Sequence, residues 1–280
     1  MKNLFVSVLL DAKAEKKPAA SINILNYNTA KAVMDAAERA GRDVIVQPST
    51  GTVRRYGVEQ MFAMLDGLRK GRSVRVAIHL DHCTDTALAK ACVDAGWDSV
   101  MMDFSALPME ENIEKTRAMV EYAHARQVAV EGEVGVISGV EDDIAHENAH
   151  PATFEDTMDF IEKTGVDAIA PSIGTAHGVY TGTPVLNYEL VERIGKEQTP
   201  LVVHGGTGLS VEAFHKLIAL GAAKINISTA LKNIYLGESR RQLENAKIAP
   251  VKFDEAVEKA CSELMERHMR VFAGETLPLD

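Results

Sequence analysis

Residues 74–82 read VRVAIHLDH, and residues 83–95 read CTDTALAKACVDA. The first stretch is short, apolar and rich in Val and Ile, which suits a buried strand. The second, from Thr86 to Ala95, spaces its apolar residues three and four apart, which suits a helix packed on one face. A strand that ends in Asp81-His82 and runs straight into a helix is one βα unit. The same pattern recurs on both sides. SINILN precedes a helical stretch from Thr29 to Ala40, and VIVQPS precedes one from Val58 to Leu68. SVMMDFS is followed by Glu110 to Ala125, VAVEGEVG by a polar loop and then Thr153 to Lys163, and DAIAPSIG by Leu186 to Ile194. PLVVHGG is followed by Val211 to Leu220, AKINIST by a helix near Ala230, and a last helix spans Phe253 to Phe272.

Alternation of this kind means parallel strands. Eight units with no Gly/Ser-rich or Pro-rich linker predict a closed (β/α)8 TIM barrel of the α/β class, in which about 250 residues suffice. The 280 residues are read as a single domain, 1–280, with an extra C-terminal helix. The polar stretch Ser138–Pro151 reads as a loop at the barrel mouth. The run Leu4–Leu10 is cut short by Asp11 and the charged AEKK segment, so it reads as a first amphipathic helix rather than a signal sequence.

A net charge of −10 and the lack of a basic stripe argue against nucleic acid as the partner. No apolar stretch approaches the roughly 20 residues of a membrane span. Three cysteines without a CxxC pair suggest a reducing compartment, and the cytoplasm is expected.

In barrel enzymes the chemistry sits where strands end at their C-terminal side. Asp81, His82, Asp103, Glu133, His177, His204 and Asn226 all fall at or just past such ends. Seven such coincidences in one chain are hard to assign to packing. Three imidazoles, His82, His177 and His204, can meet on one rim and leave a fourth position open, which is the make-up of a catalytic zinc site. A lone histidine in an apolar run is ordinarily a hydrogen-bonded core residue, and His79 is read that way. His124, His146, His150, His215 and His268 are read as surface residues, with His146 and His150 kept as weak candidates. The loops His204–Gly208 and Asn226–Thr229 suit a phosphate, because glycine lets backbone N–H groups approach an anion and a helix N-terminus adds positive potential. The alternative is two ordinary turns with Ser/Thr caps. The sixth strand lacks a lysine, and Lys224 sits at the wrong end of the eighth, so a metal electrophile is preferred over a Schiff base.

At these residues the chain resembles the class II, metal-dependent fructose-bisphosphate and tagatose-bisphosphate aldolases. The resemblance runs in order from Ser21 to Thr229, through HLDH at 79–82, SVMMDFSALPMEENI at 99–113, VEGEVGVISGVEDD at 130–143, TGVDAIAPSIGTAHGVY at 164–180, LVVHGGTGLS at 201–210 and KINIST at 224–229. It implies reversible cleavage of a phosphorylated ketose of the 1,6-bisphosphate type to dihydroxyacetone phosphate and an aldehyde. It also implies one catalytic zinc per subunit on His82, His177 and His204, with Asp103 and Glu133 beside it or binding metal in an alternative position. Asp81 would be the acid/base, Glu141 would exchange the proton on carbon, and Asn226 would contact the enediolate. Gly178, Gly205, Thr207, Ser228 and Thr229 would cradle phosphate, while Asn23 and Ser49 would touch substrate. The same resemblance implies a monovalent cation, Na+ or K+, near the phosphate, and a homo-oligomer, dimer or tetramer. Ser228 stands where the fructose-bisphosphate branch usually carries aspartate, and no arginine matches the second phosphate. Two other classes compete: a metal-dependent epimerase or isomerase that forms the enediolate without breaking a bond, and a non-catalytic phosphosugar-binding protein.

Overall fold

Short Val- and Ile-rich runs form the strands, in chain order β1 (Ala19–Asn23), β2 (Val44–Gln47), β3 (Val76–Cys83), β4 (Ser99–Met102), β5 (Ala129–Val134), β6 (Ser138–Glu141), β7 (Ile144–His146), β8 (Ala168–Pro171), β9 (Ala176–His177), β10 (Leu201–Val203) and β11 (Ala222–Ile227). The helices are α1 (Leu4–Glu15), α2 (Tyr27–Ala40), α3 (Thr50–Tyr56), α4 (Val58–Arg69), α5 (Thr86–Asp94), α6 (Met109–His124), α7 (Phe154–Thr164), α8 (Tyr188–Gly195), α9 (Val211–Ala219), α10 (Thr229–Leu243) and α11 (Pro250–Phe272). The computed structural model describes residues 3–141, 144–146, 150–180 and 182–279, without the side chains of 140, 141 and 144–146.

Eight strands pair in parallel and close on themselves in the order β1-β11-β10-β8-β5-β4-β3-β2. The expected (β/α)8 barrel is therefore formed. Strand side chains alternate between faces, and the alternation divides the core in two. Val44, Val46, Val76, Ile78 and Leu80 point outward and pack under the helices. Ile45, Ala77, Ala129, Ala168, Ala170 and Val202 point into the lumen. These lumen residues are mostly small, so room remains at the N-terminal end, and α1 fills it. Phe5, Val8, Leu9 and Ala12 of α1 are buried against that inner set. Each large side chain removed from water in this way contributes about 1.5–3 kcal/mol. Asn3 caps the helix by accepting from the Val6 N–H, and its Nδ2 donates to the carbonyls of Asp98 and Gln127 at 2.9 and 2.8 Å. The N-terminal segment is thus an amphipathic helix, as its sequence suggests, and serves as the barrel floor.

Outside the ring, α11 lies along α2. Ser262 Oγ donates to the Ala32 carbonyl, and Arg39 pairs with Glu266 at 2.7 Å. Leu264, Met265, Met269 and Phe272 are all buried.

Three local expectations fail. His268 is buried rather than at the surface, with Nδ1 at 2.9 Å from the Leu264 carbonyl, and burial lowers its pKa to about 4. It lies on the same helical stripe as Leu264, Met265 and Phe272. The segment from Ser138 is not a plain loop. Strands β6 and β7 pair antiparallel, and β6 also pairs in parallel with β9 through Ser138↔Ala176 and Gly139↔His177. The acidic residues between the two strands hide the pairing in the sequence. Finally, α3 went unpredicted because Gly51 and the β-branched Thr50, Thr52 and Val53 have weak helix propensity. The Ser49 hydroxyl accepts from the Thr52 N–H and starts that helix.

Candidate active site and metal centre

Asp81 and His82 are adjacent in β3, so strict alternation would send one to the lumen and the other to the helices. The structure avoids this with a bulge. Leu80 pairs with Val100 and Cys83 with Met102, so two residues of β3 stand against the single Met101 of β4. His82 takes a left-handed φ of +37°, rare for a residue with a side chain. Asp81 and His82 both end up buried at the mouth.

His204, just past β10, reaches the same point. Its Nδ1 lies 2.8 Å from His82 Nε2, and the two rings meet edge to face at 4.6 Å. His177, on β9, closes the group with its ring centroid 4.9 Å from that of His82. One nitrogen from each of the three histidines falls within 4.8 Å of the others. His82, Asp103 and Glu133 form a second such group, sharing His82 with the first. Asp103 Oδ2 is 2.8 Å from His82 Nδ1, and Glu133 Oε2 is 3.8 Å from the same nitrogen. Ser105 Oγ donates to both Asp103 Oδ1 and Glu133 Oε1, at 2.7 and 3.1 Å.

The electrostatics favour a cation here. Burial alone would depress the pKa of His82, yet Asp81, Asp103 and Glu133 outweigh it and hold this imidazole well above the usual histidine range. Burial drives His204 and His177 well below that range, and the neighbouring His82 adds to the effect. Burial also lifts Glu133 far above the usual carboxylate range, with Asp103 adding, while Asp103 itself is held well below it by His82 and Ser105 against the cost of burial. Two neutral imidazoles, a third ringed by acids and a cluster of carboxylate oxygens form a donor set that fits a divalent metal.

Asp81 is positioned from the other side. Asn23 Nδ2 donates to Asp81 Oδ2 at 2.7 Å, Gln47 Nε2 donates to Asn23 Oδ1 at 2.8 Å, and Ser21 Oγ donates to Gln47 Oε1. Asp81 Oδ1 has no partner among the described residues. Ser49 sits beside Asp81 through an isolated parallel bridge, with its hydroxyl committed to the start of α3. Sequence reading missed Ser21 and Gln47. Their only signal was their inward phase on β1 and β2.

The expected phosphate residues also converge. Gly178, Gly205, Thr207, Asn226, Ser228 and Thr229 line one small cleft, with His177 at its edge. Ser228 is the N-cap residue of α10, but its side chain makes no capping bond. Thr207 Oγ1 accepts from the Ala230 N–H at 3.2 Å instead. The Ser228 hydroxyl and both polar atoms of the Asn226 amide are buried and lack a protein partner among the described residues. Buried polar groups are seldom left so, and here they sit at the N-terminus of a helix, where anions bind. Tyr180 ties the cleft to the metal group: its hydroxyl accepts from the Ala176 N–H and donates to the Gly205 carbonyl at 2.7 Å. Glu141 lies on β6, but its side chain falls outside the described residues, as does that of His146. His150 is exposed at the edge of the segment.

The family model described as fructose-bisphosphate aldolase class-II matches residues 4–276. The chain belongs to the class II fructose-bisphosphate aldolase family. It is 36% identical over 271 residues to the fructose-bisphosphate aldolase of Staphylococcus epidermidis, covering 95% of each chain. It is 40% identical over 227 residues to that of Geobacillus stearothermophilus, covering 79% of each. Among solved structures, the YdjI aldolase from Escherichia coli K12 superposes with a TM-score of 0.86 at 31% identity, over 98% of both chains. As a class II aldolase the chain is an aldehyde-lyase that reversibly breaks a carbon–carbon bond in a phosphorylated ketose, and its family implies a divalent metal. Among the described residues no helix is long and apolar enough to cross a membrane.

Placement of His177 in this aldolase depends on Gly139. At φ +109° a side chain is strained, and a Cβ there would collide with the His177 backbone. Strain of this kind costs about 1–3 kcal/mol. Gly139→Ala is therefore expected to push β9 aside and weaken metal retention several-fold with the barrel intact. Zinc competition against a chromophoric chelator, with a thermal melt, checks this; wild-type retention would show that β9 holds without the close contact.

Proposed function

We propose that residues 1–280 act as one aldolase domain that cleaves a ketose 1,6-bisphosphate to dihydroxyacetone phosphate and an aldehyde, using zinc on His82, His177 and His204. The convergence of three imidazole nitrogens, with Asp81 Oδ1 left without a partner among the described residues, carries this reading. Bound zinc would supply a Lewis acid for the oxygens of the ketose. Asp81 takes the proton from the C4 hydroxyl. The O–H electrons become the aldehyde C=O, the C3–C4 bond breaks, and its electron pair moves into the enediolate of the three-carbon fragment. Asn226 donates to the oxygen on which charge develops, in a site where such donors act at low dielectric. Glu141 returns a proton to C3, which completes dihydroxyacetone phosphate. Run backward, the same groups join the two fragments.

Gly178, Gly205, Thr207, Ser228 and Thr229 would hold the phosphate of that fragment, with Na+ or K+ beside it. The Ser228 hydroxyl, without a partner among the described residues, and the N-terminus of α10 support this assignment. Asp103 and Glu133 would steer the metal and bind it in an alternative position. Asn23, through its bond to Asp81, and Ser49, one bridge away, would border the aldehyde half of the substrate. Three free, buried cysteines support a reducing cytoplasm. Exposed Tyr27, Leu236, Leu243 and Val251, carried by α2, α10 and the start of α11, support a homodimer or homotetramer.

The test is release of triose phosphate from a panel of ketose phosphates, with and without EDTA. Release that EDTA abolishes and zinc restores is expected. EDTA-resistant release would favour a Schiff base and undo the metal assignment. Metal-bound protein that converts a ketose without releasing triose phosphate would favour the epimerase.

A further inference from the structure

Below the three histidines, the middle of the barrel is polar where an apolar filling would do. Glu131 of β5 and Lys224 of β11 face each other across the lumen, both fully buried. Lys224 Nζ donates to both carboxylate oxygens, at 3.1 and 2.8 Å. His204 Nε2 lies 2.9 Å from Glu131 Oε1, and His79 Nε2 lies 3.7 Å from Glu131 Oε2. His79 is itself fixed, with Nδ1 at 2.7 Å from Ser99 Oγ and its ring stacked on Phe5 of the floor helix at 5.0 Å.

We infer that Glu131 and Lys224 are positioning residues for the metal centre. Glu131 accepts the Nε2 proton of His204 and so fixes the tautomer whose Nδ1 lone pair faces the other two histidines, while Lys224 anchors that carboxylate. The inference rests on the metal reading above. Three observations carry it. A carboxylate oxygen has only protons to accept, so the nitrogen of His204 facing Glu131 must be the protonated one, and its ligand nitrogen is the other. That other nitrogen is the one found 2.8 Å from His82 Nε2. A buried ion pair, moreover, is commonly no more stable than apolar residues of the same volume, so stability alone does not account for it at this depth. Lys224 also balances the Glu131 charge, so the carboxylate can orient His204 without adding a net negative charge next to the electrophile.

The experiment uses the zinc-loaded chain, and uptake of zinc by the wild type is measured first. Protein that binds no zinc would overturn the metal reading itself, before any variant is made. In wild-type holoenzyme with 15N-labelled histidine, His204, assigned by its absence in His204→Ala, should carry its proton on Nε2, in slow exchange with solvent. A proton on Nδ1 would overturn the inference without any change at Glu131. Glu131→Gln should then bind zinc about 10–100-fold more weakly in competition with a chromophoric chelator, the usual effect of losing a carboxylate behind a ligand histidine. Glu131→Gln/Lys224→Met removes both charges and restores a balanced interior. It should melt cooperatively yet stay weak for zinc. Zinc affinity equal to wild type in either folded variant would make the pair merely structural.

Discussion

Asp81→Ala is expected to lower turnover by about 10²–10⁴-fold, the usual contribution of a positioned general acid/base, while zinc content and phosphate affinity stay near wild type. The separation follows from where the side chain sits. Asp81 is not among the three nitrogens that converge, and it does not line the cleft that would hold phosphate. One oxygen is held by Asn23 and the other has no partner among the described residues, so the chain Ser21–Gln47–Asn23 aims a single oxygen at the mouth. Asp81→Asn keeps the shape and is expected to be nearly as slow, because an amide cannot take the proton. Steady-state rates alongside metal analysis decide the matter. A wild-type rate in either variant would remove Asp81 from the chemistry. A slow variant that has also lost its zinc would make it a structural support of the metal centre.

His204→Ala should have the largest effect on metal content. Two imidazoles remain, and Glu131 loses one of its two histidine neighbours. Zinc is expected to fall to a small fraction of one per subunit after dialysis, and ketose cleavage to fall to background. Excess zinc should restore only a trace of activity, because a cation held by His82 and His177 alone lacks its third nitrogen. Retention of a full equivalent of zinc would show that His82, Asp103 and Glu133 form the resident site instead. Those groups share His82, so His82→Ala should empty either site and does not distinguish them.

Much of this was visible in the chain. Eight apolar runs, each followed by a helical period, specify a parallel barrel because local patterning and global packing agree. The three histidines proposed to hold the metal stood out because each follows an apolar run and two of them precede glycine. What remained hidden depends on register. Glu131 and Lys224 meet across the lumen from strands that are neighbours in neither sequence nor sheet, and neither residue sits at a strand's C-terminal end, where chemistry is sought. Gln47 looked like an ordinary strand residue until β1 and β2 were laid side by side. His268 is a different case: its spacing from Leu264, Met265 and Phe272 placed it on the buried stripe, but its polarity outweighed that spacing in the reading. The small sheet of β6, β7 and β9 was obscured by acids, since a run broken by charge gives no period-two signal.

The bulge at Asp81-His82 makes this active centre a matter of phase. Along an unbroken barrel strand the parity of a residue number says whether its side chain meets the helices or the lumen, and in β3 that parity slips by one between Leu80 and Cys83. Before the slip, odd positions such as Ala77, His79 and Asp81 face inward; after it His82 does too, and Cys83 returns to the outer core. The proposed acid and the proposed metal ligand are therefore neighbours in sequence and on one wall at once, which an unbroken strand forbids. With one residue fewer at this point the strand would regain strict alternation: the barrel would stay and the histidine would still face the lumen, but the acid beside it would be lost or turned toward the helices. Deletions here should thus be far more damaging to activity than substitutions of similar size, because they remove the pairing of the two side chains and not only one of them.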